Sequence, residues 1–340
     1  MEVPKNSNDN QPETTSNEIK FDILKIDSKI KKDSIYEEGE SIFEFCQEYN
    51  PDNPDESEQK IDFPKYFAKI KTSNYEYLGI LSKNLKKENY GYNHFDNGDE
   101  YFGQWNKDKK EGYGIYFFKN EERKNFDAIN QVYVGEFKNN MKSGEGIYFS
   151  ISEFSKEKIE NKIVYKPLNF NLVVGNFIED NFTKGIIYSM QDGKRKIYRG
   201  KLNKEGKKED NNGELYEDKD KIFFGTIKDN VMIEGRIVIM KDDIKENGYY
   251  FNKKGKNVID GEVAFEYLKG EENDDIYIKK MIELNNAFNN EKIQELFVNI
   301  MEIREKGNNS ENNFEYIKKI NYDSDVKQIL KNQYGKYLYC

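Results

Sequence analysis

The sequence is poor in the residues that most often carry chemistry. Its 340 residues hold two cysteines, Cys46 and Cys340, one histidine, His94, and one tryptophan. Two isolated thiols make no disulfide framework, and with a single histidine they make no zinc site. Their scarcity points to a reducing, intracellular compartment. No apolar run reaches the ~18 residues of a membrane-spanning helix. No apolar stretch stands near the N-terminus, and acids are frequent before the first arginine, Arg123. Neither a signal peptide nor a mitochondrial transit peptide is therefore expected.

Apolar residues make up only 36% of the chain and charged ones 34%, too lean for a thick core throughout. The exception is aromatic: 25 Tyr and 23 Phe suit a thin repeat sheet in which rings carry the burial. Net charge is -9 and unevenly spread. Residues 1–60 carry 7 Lys or Arg against 16 Asp or Glu, residues 61–260 carry 36 against 32, and residues 261–340 carry 11 against 15. An acidic chain argues against nucleic acid as its ligand, while the near-neutral middle leaves an anionic membrane open.

Catalytic signatures are missing too. His94 lies in a strand-like run without a second metal ligand or a neighbouring Ser or Cys nucleophile. Glu271-Glu272 and Asp274-Asp275 carry nothing that marks an acid/base couple rather than a solvated face. Gly112-x-Gly114 lacks the strand-to-helix context of a dinucleotide loop, no P-loop is present, and the acidic runs lack EF-hand spacing. Lys107-Asp108-Lys109-Lys110 and Lys194-Arg195-Lys196 read as solvated strand ends or turns rather than lipid-phosphate sites. The expectation is a non-enzyme with no metal, cofactor or small-molecule substrate.

What is present is a repeat. Tyr101-Phe102-Gly103-Gln104-Trp105 is followed by Gly112-Tyr113-Gly114, and Tyr133-Val134-Gly135-Glu136-Phe137 by Gly144-Glu145-Gly146. Gly79, Gly103, Gly135, Gly175, Gly200 and Gly225 head successive copies, separated by 24, 32, 40, 25 and 25 residues. The two long intervals carry polar insertions, Asn120 to Gln131 and about Ser152 to Asn169, expected as loops on the edge of an array. Strand alternation puts Tyr101, Gly103 and Trp105 on one face. The bare glycine should let a ring from a neighbouring strand lie over the backbone. Asn97-Gly98 and Asp192-Gly193 between alternating runs signal hairpins. Each repeat is then a hairpin, unstable alone, that stacks on its neighbours.

This pattern resembles the MORN repeat, an aromatic-x-Gly-x-aromatic run followed by Gly-x-Gly. The copies at Tyr101 and Tyr133 match fully. Those at Tyr77, Gly79 and Gly91, at Val173, Gly175, Phe177 and Gly185, at Tyr198, Gly200 and Gly213, and at Phe223, Gly225 and Gly235 match in part, covering about residues 75–250. The resemblance implies a mainly β fold with some α: an elongated antiparallel β-hairpin array and a small C-terminal helical segment. It implies a non-catalytic scaffold or adaptor among the proteins of a large complex. Similar proteins occur in ciliary axonemes, notably radial-spoke heads, and in the cortical cytoskeletons of protists. The alternatives are a peripheral membrane adaptor that binds phosphoinositides and a regulatory subunit of a separate enzyme. The repeat glycines are Gly79, Gly103, Gly112, Gly114, Gly135, Gly144, Gly146, Gly175, Gly200 and Gly225. Tyr101, Trp105, Tyr133, Phe137 and Phe177 form an aromatic face, read either as the array's own packing surface or, in part, as a groove for a partner peptide or helix.

The chain is expected to divide into an acidic, largely extended or disordered 1–60, the array at 61–258, and a helical cap at 259–340. Met281, Leu284 and Phe288, then Ile293, Leu296, Phe297, Ile300, Met301 and Arg304, follow helical spacing, broken at Asn289-Asn290. A further helix is expected from Ser324 to Tyr334.

Overall fold

A computed structural model describes residues 34–38, 41–49, 65–82, 84–119, 129–159, 162–217, 221–241, 244–252, 258–259, 262–263, 293, 295–298, 300 and 304. The chain forms two compact units. The first comprises Asn6–Ser143 with Glu302–Gln328, the second Gly144–Met301 with Met1–Lys5 and Ile329–Cys340.

Alternating aromatic and polar residues build both units from antiparallel strands. The first holds β1 (Ser34–Glu38), β2 (Ser41–Tyr49), β3 (Lys65–Lys71), β4 (Tyr75–Leu81), β5 (Lys87–Phe95), β6 (Glu100–Asn106), β7 (Lys109–Lys119) and β8 (Ile129–Lys138). The second holds nearly all of β9 (Met141–Ile159), then β10 (Lys162–Ile178), β11 (Asn181–Gln191), β12 (Lys194–Lys201), β13 (Asp210–Glu217), β14 (Lys221–Lys228), β15 (Val231–Lys241) and β16 (Ile244–Asn252). A small pair, β17 (Val258–Ile259) and β18 (Glu262–Val263), follows. Within each unit, β1 to β8 and β9 to β16 pair antiparallel with their chain neighbours. The expected hairpins are present: Asn97-Gly98 joins β5 to β6, and Asp192-Gly193 joins β11 to β12.

Two segments differ from the expectation. The sheet begins at Ser34, inside the acidic N-terminal stretch. Its register sets β2 against β3, with Glu44 opposite Lys69. The insertion at Ser152 to Asn169 is no loop. It prolongs β9 and β10 into a ribbon in which Lys162 faces Ile159 and Tyr165 faces Lys156. Ile151, Phe154, Ile159, Ile163, Val164 and Tyr165 supply enough strand-forming side chains for the ladder to continue through the charged residues. Most of the other insertion, residues 120–128, lies outside the described residues.

The described helical residues are Ile293, Glu295 to Val298, Ile300 and Arg304. Ile293, Leu296, Phe297 and Ile300 recur at three- and four-residue intervals and are all buried, as one face of a helix requires. The other segments read as helical, 276–289 and 324–334, lie outside the described residues.

Candidate functional site

Each repeat strand places one glycine at the same level. In the first unit Gly79 faces Gly91, Gly91 faces Gly103, Gly103 faces Gly114, and Gly114 faces Gly135. In the second, Gly146 faces Gly175, which faces Gly185, which faces Gly200, and Gly213, Gly225 and Gly235 continue the pattern. The space over this ladder is filled by tyrosine. A Cβ on Gly103 would stand 2.5 Å from Tyr101 Oη and 2.6 Å from the Gly114 Cα. The covering ring therefore comes from the same strand, two residues earlier, and not from a neighbouring strand as expected. A local hydrogen bond decides this. Tyr101 Oη donates to the Gln104 carbonyl at 2.9 Å, and Tyr77, Tyr133 and Tyr198 donate likewise to the carbonyls of Ile80, Glu136 and Lys201. Where Val173 replaces the tyrosine, a ring does arrive from the next strand: Phe182 lies against Gly175. Gly112 and Gly144 stand off the ladder, with φ of 78° and 62°. Gly112 lies where the β6–β7 register shifts, with the Gln104 side chain against it, and left-handed backbone at a bulge favours glycine.

The five aromatic residues proposed from sequence all lie on this ladder face and are buried. Four of them interlock in the first unit. Tyr101 meets Trp105 and Phe137 edge-on at 5.1 and 5.2 Å, and Tyr133 meets Phe137 at 5.1 Å. In the second unit Phe177 meets Phe182 at 5.6 Å. Edge-to-face rings at these separations attract beyond their area burial.

Sequence reasoning missed the cations in this stack. Lys87 Nζ lies 3.7 Å from the Tyr75 ring centre and 4.7 Å from that of Trp105, and donates to Asn93 Oδ1 at 2.6 Å. Lys110 Nζ lies 4.2 Å from the Tyr116 ring, and Lys142 lies over Phe118 and Tyr133. All three lysines are buried, so Lys110 is no solvated turn residue, whereas Lys107 and Lys109 are exposed. Burial pushes the Lys87 ammonium down to about 7, with Asp108 acting against it and Lys110 adding to it. Burial pushes the Tyr75 phenol up to about 12. One signal marks these lysines: Lys87, Lys110 and Lys142 each stand four residues before a ladder glycine.

The hairpin turns fasten each repeat to the one before. Lys107-Asp108, Asn139-Asn140, Glu179-Asp180 and Asp229-Asn230 have φ between 47° and 73°, the left-handed pair that suits sheet twist. Asn140 Oδ1 accepts from the Lys110 amide at 2.7 Å while its own amide donates back to the Lys110 carbonyl at 3.0 Å. Asp108 grips Lys87, and Asn230 grips Lys208, in the same reciprocal way.

The opposite face is apolar and meets the helical residues. In the first unit Arg304 forms two hydrogen bonds with Glu100, Nη2 to Oε1 at 2.7 Å and Nε to Oε2 at 3.0 Å, above the Phe117 ring. In the second, Phe297 packs on Phe149 at 5.4 Å, and the rings continue through Phe170 to Tyr188.

His94 is exposed. Among the described residues no group of three or more His, Cys, Asp or Glu could hold a metal ion, and no helix is long and apolar enough to cross a membrane. The family model for the MORN repeat matches residues 101–123 and 133–151. These are the β6–β7 hairpin and the run from β8 into β9, where the tyrosine, glycine and lysine pattern is most regular. No curated protein matches the chain. MORN repeats are non-enzymatic modules that mediate protein and membrane interactions.

Proposed function

We propose that this chain, a member of the MORN-repeat family, is a non-catalytic scaffold that holds other proteins of a large assembly in a fixed arrangement. One observation carries the reading. Glycine recurs at one level on strand after strand, and in the first unit the tyrosines of β4, β6 and β8 alternate with the buried lysines of β5, β7 and β9, so the residue pattern serves to extend a regular sheet. Such a sheet offers many equivalent positions for partners. The assembly is the ciliary axoneme, in a radial-spoke-like setting, or the cortical cytoskeleton. The match of the repeat pattern to the MORN repeat supports this reading, which implies a location inside the cell.

Fractionation of the native cell tests the proposal. Membranes are removed with detergent, the microtubule skeleton is pelleted, and the pellet is washed in high salt. Retention through the wash supports the scaffold, because an apolar protein interface outlasts charge screening. Release by detergent alone favours a peripheral membrane adaptor instead. The β11–β12 hairpin favours that second reading, since Lys184, Lys194, Lys196 and Lys201 are all exposed on it.

A further inference from the structure

One position breaks the tyrosine row that runs beside the glycine ladder of the first unit. At this level β4, β6, β7 and β8 carry Tyr77, Tyr101, Tyr116 and Tyr133, but β5 carries Asn93, between Tyr77 and Tyr101. Asn93 is fully buried. Its Oδ1 accepts from Lys87 Nζ at 2.6 Å, while its Nδ2 has no partner among the described residues. A buried N–H left without an acceptor is costly.

Lys87 is balanced on the same point. Its Nζ lies 3.7 and 5.0 Å from the ring centres of Tyr75 and Tyr77 on β4 and 4.7 Å from that of Trp105 on β6. The Asp108 carboxylate, in the β6–β7 turn, is divided between the Lys87 amide and the Lys86 ammonium, both at 2.8 Å. Lys110 on β7 adds a like charge. Burial drives the proton off Lys87, and its value falls to about 7 with Asp108 acting against the change. The ring faces also favour the charged form. Charged and neutral lysine therefore lie close in energy. The Tyr75 and Tyr77 phenols are both pushed up by burial, Tyr75 to about 12, and stay neutral across this range.

We propose that Lys87 and Asn93 form a proton-operated switch inside the array. The ammonium has only hydrogens to offer, so it serves Oδ1 and strands Nδ2. When it gives one proton to solvent, an electron pair replaces that hydrogen on the amine. This is the acceptor that Nδ2 lacks, and the amide turns to donate to it. No charge then remains among the rings. The junction of β5 with β6 feels the change, since Asp108 clasps the Lys87 amide and carbonyl and Trp105 Nε1 donates to the Gly91 carbonyl at 3.3 Å. The neutral form is the tighter junction, and acid loosens it. The switch does not depend on the scaffold reading.

Trp105 is the one tryptophan of the chain, so its fluorescence and indole N–H resonance read the site in the full-length protein. Both should show a single transition between about pH 6 and 9, and the Asn93 side-chain NH2 signals should move with it. Lys87→Met should remove the transition. Asn93→Asp gives the ammonium a carboxylate and should carry the transition above about pH 9. That variant nearly keeps the native shape, so it decides the matter even where Lys87→Met does not fold. His94 is exposed and next in the chain, and His94→Gln should leave the transition in place. The proposal is overturned if Trp105 shows no transition in this range, or if Asn93→Asp leaves it unmoved. Its loss in His94→Gln, or Asn93 signals that stay still through it, overturns the proposal as well.

Discussion

The Tyr101 hydroxyl reaches past Gly103 to the Gln104 carbonyl, 2.9 Å away, and so lays its ring over both Gly103 and Gly114. In the repeats headed by Tyr77, Tyr101 and Tyr198 the glycine is therefore fixed by the tyrosine of the same repeat, and a methyl group there has nowhere to go. Gly103→Ala should destabilise the protein by roughly 1–3 kcal/mol, the usual cost of overpacking a filled core. Gly193→Ala is the comparison. Its Cβ would meet nothing within 4 Å, though φ is 73°, so its cost should be limited to about 1–2 kcal/mol of left-handed backbone strain. Urea unfolding of both variants, with a ring-free Tyr101→Leu, Gly103→Ala double variant, checks the cause: the second substitution should cost less once the ring is gone.

The lateral grip of a turn can be separated from its backbone conformation. Asn140 has φ of 73° and hydrogen-bonds Lys110 through both its side chain and its amide. Asn140→Gly keeps the conformation and loses the side-chain bond, and should cost about 1 kcal/mol. Asn140→Ala should cost about 1–2 kcal/mol more for the left-handed position. Melting temperatures of the two variants give the order.

Breaking the buried ion pair from one side should be severe. Glu100 is 3% exposed and Arg304 8%. Arg304→Met strands the Glu100 carboxylate and should destabilise by about 3–5 kcal/mol, whereas Arg304→Met with Glu100→Leu should recover much of the loss. Chemical denaturation through a double-mutant cycle measures both.

Lys87 predicts a pH dependence with a definite sign. Its folded-state value, about 7, lies below the ordinary 10.5. The unfolded chain thus holds this proton more tightly, and stability should fall as pH drops from 10.5 towards 7, by up to about 1.4 kcal/mol per unit. Below about 7 the effect should level off. Lys87→Met removes the proton from both states. The difference in unfolding free energy between wild type and Lys87→Met should therefore shrink with rising pH between 7 and 9.5, in the wild type's favour. A flat difference would mean that the Tyr75, Tyr77 and Trp105 rings hold the ammonium fully charged.

Much of the array was legible because its signals are local. Turn chemistry placed the hairpins at Asn97-Gly98 and Asp192-Gly193, and alternation put Tyr101, Gly103 and Trp105 on one face. The other turns were harder, since Lys107-Asp108 and Glu179-Asp180 do not look left-handed. A regularity exists there all the same: Asp108, Asn140, Asp180 and Asn230 each follow a ladder glycine by five residues. The candidate site was legible only as a set of residues. Tyr101, Trp105, Tyr133 and Phe137 do gather, but the ring contacts that bury them involve neighbours that spacing alone does not pair.

The sequence alone determined the repeat, its period, the strand faces and the likeness to the MORN repeat, because each depends on spacing along the chain. Tertiary structure decided what spacing cannot reach. Lysines that count as surface charges in any composition are drawn into the stack, because the rings of successive repeats close around them and face their positive charge. The strands at residues 34–38 and 41–49 join the sheet through ladder pairing with each other and with β3. Arg304 finds Glu100, and Phe297 finds Phe149, across intervals on which no local pattern depends. These pairings are selected by the burial of charge and of apolar area, and both exist only once the chain has folded.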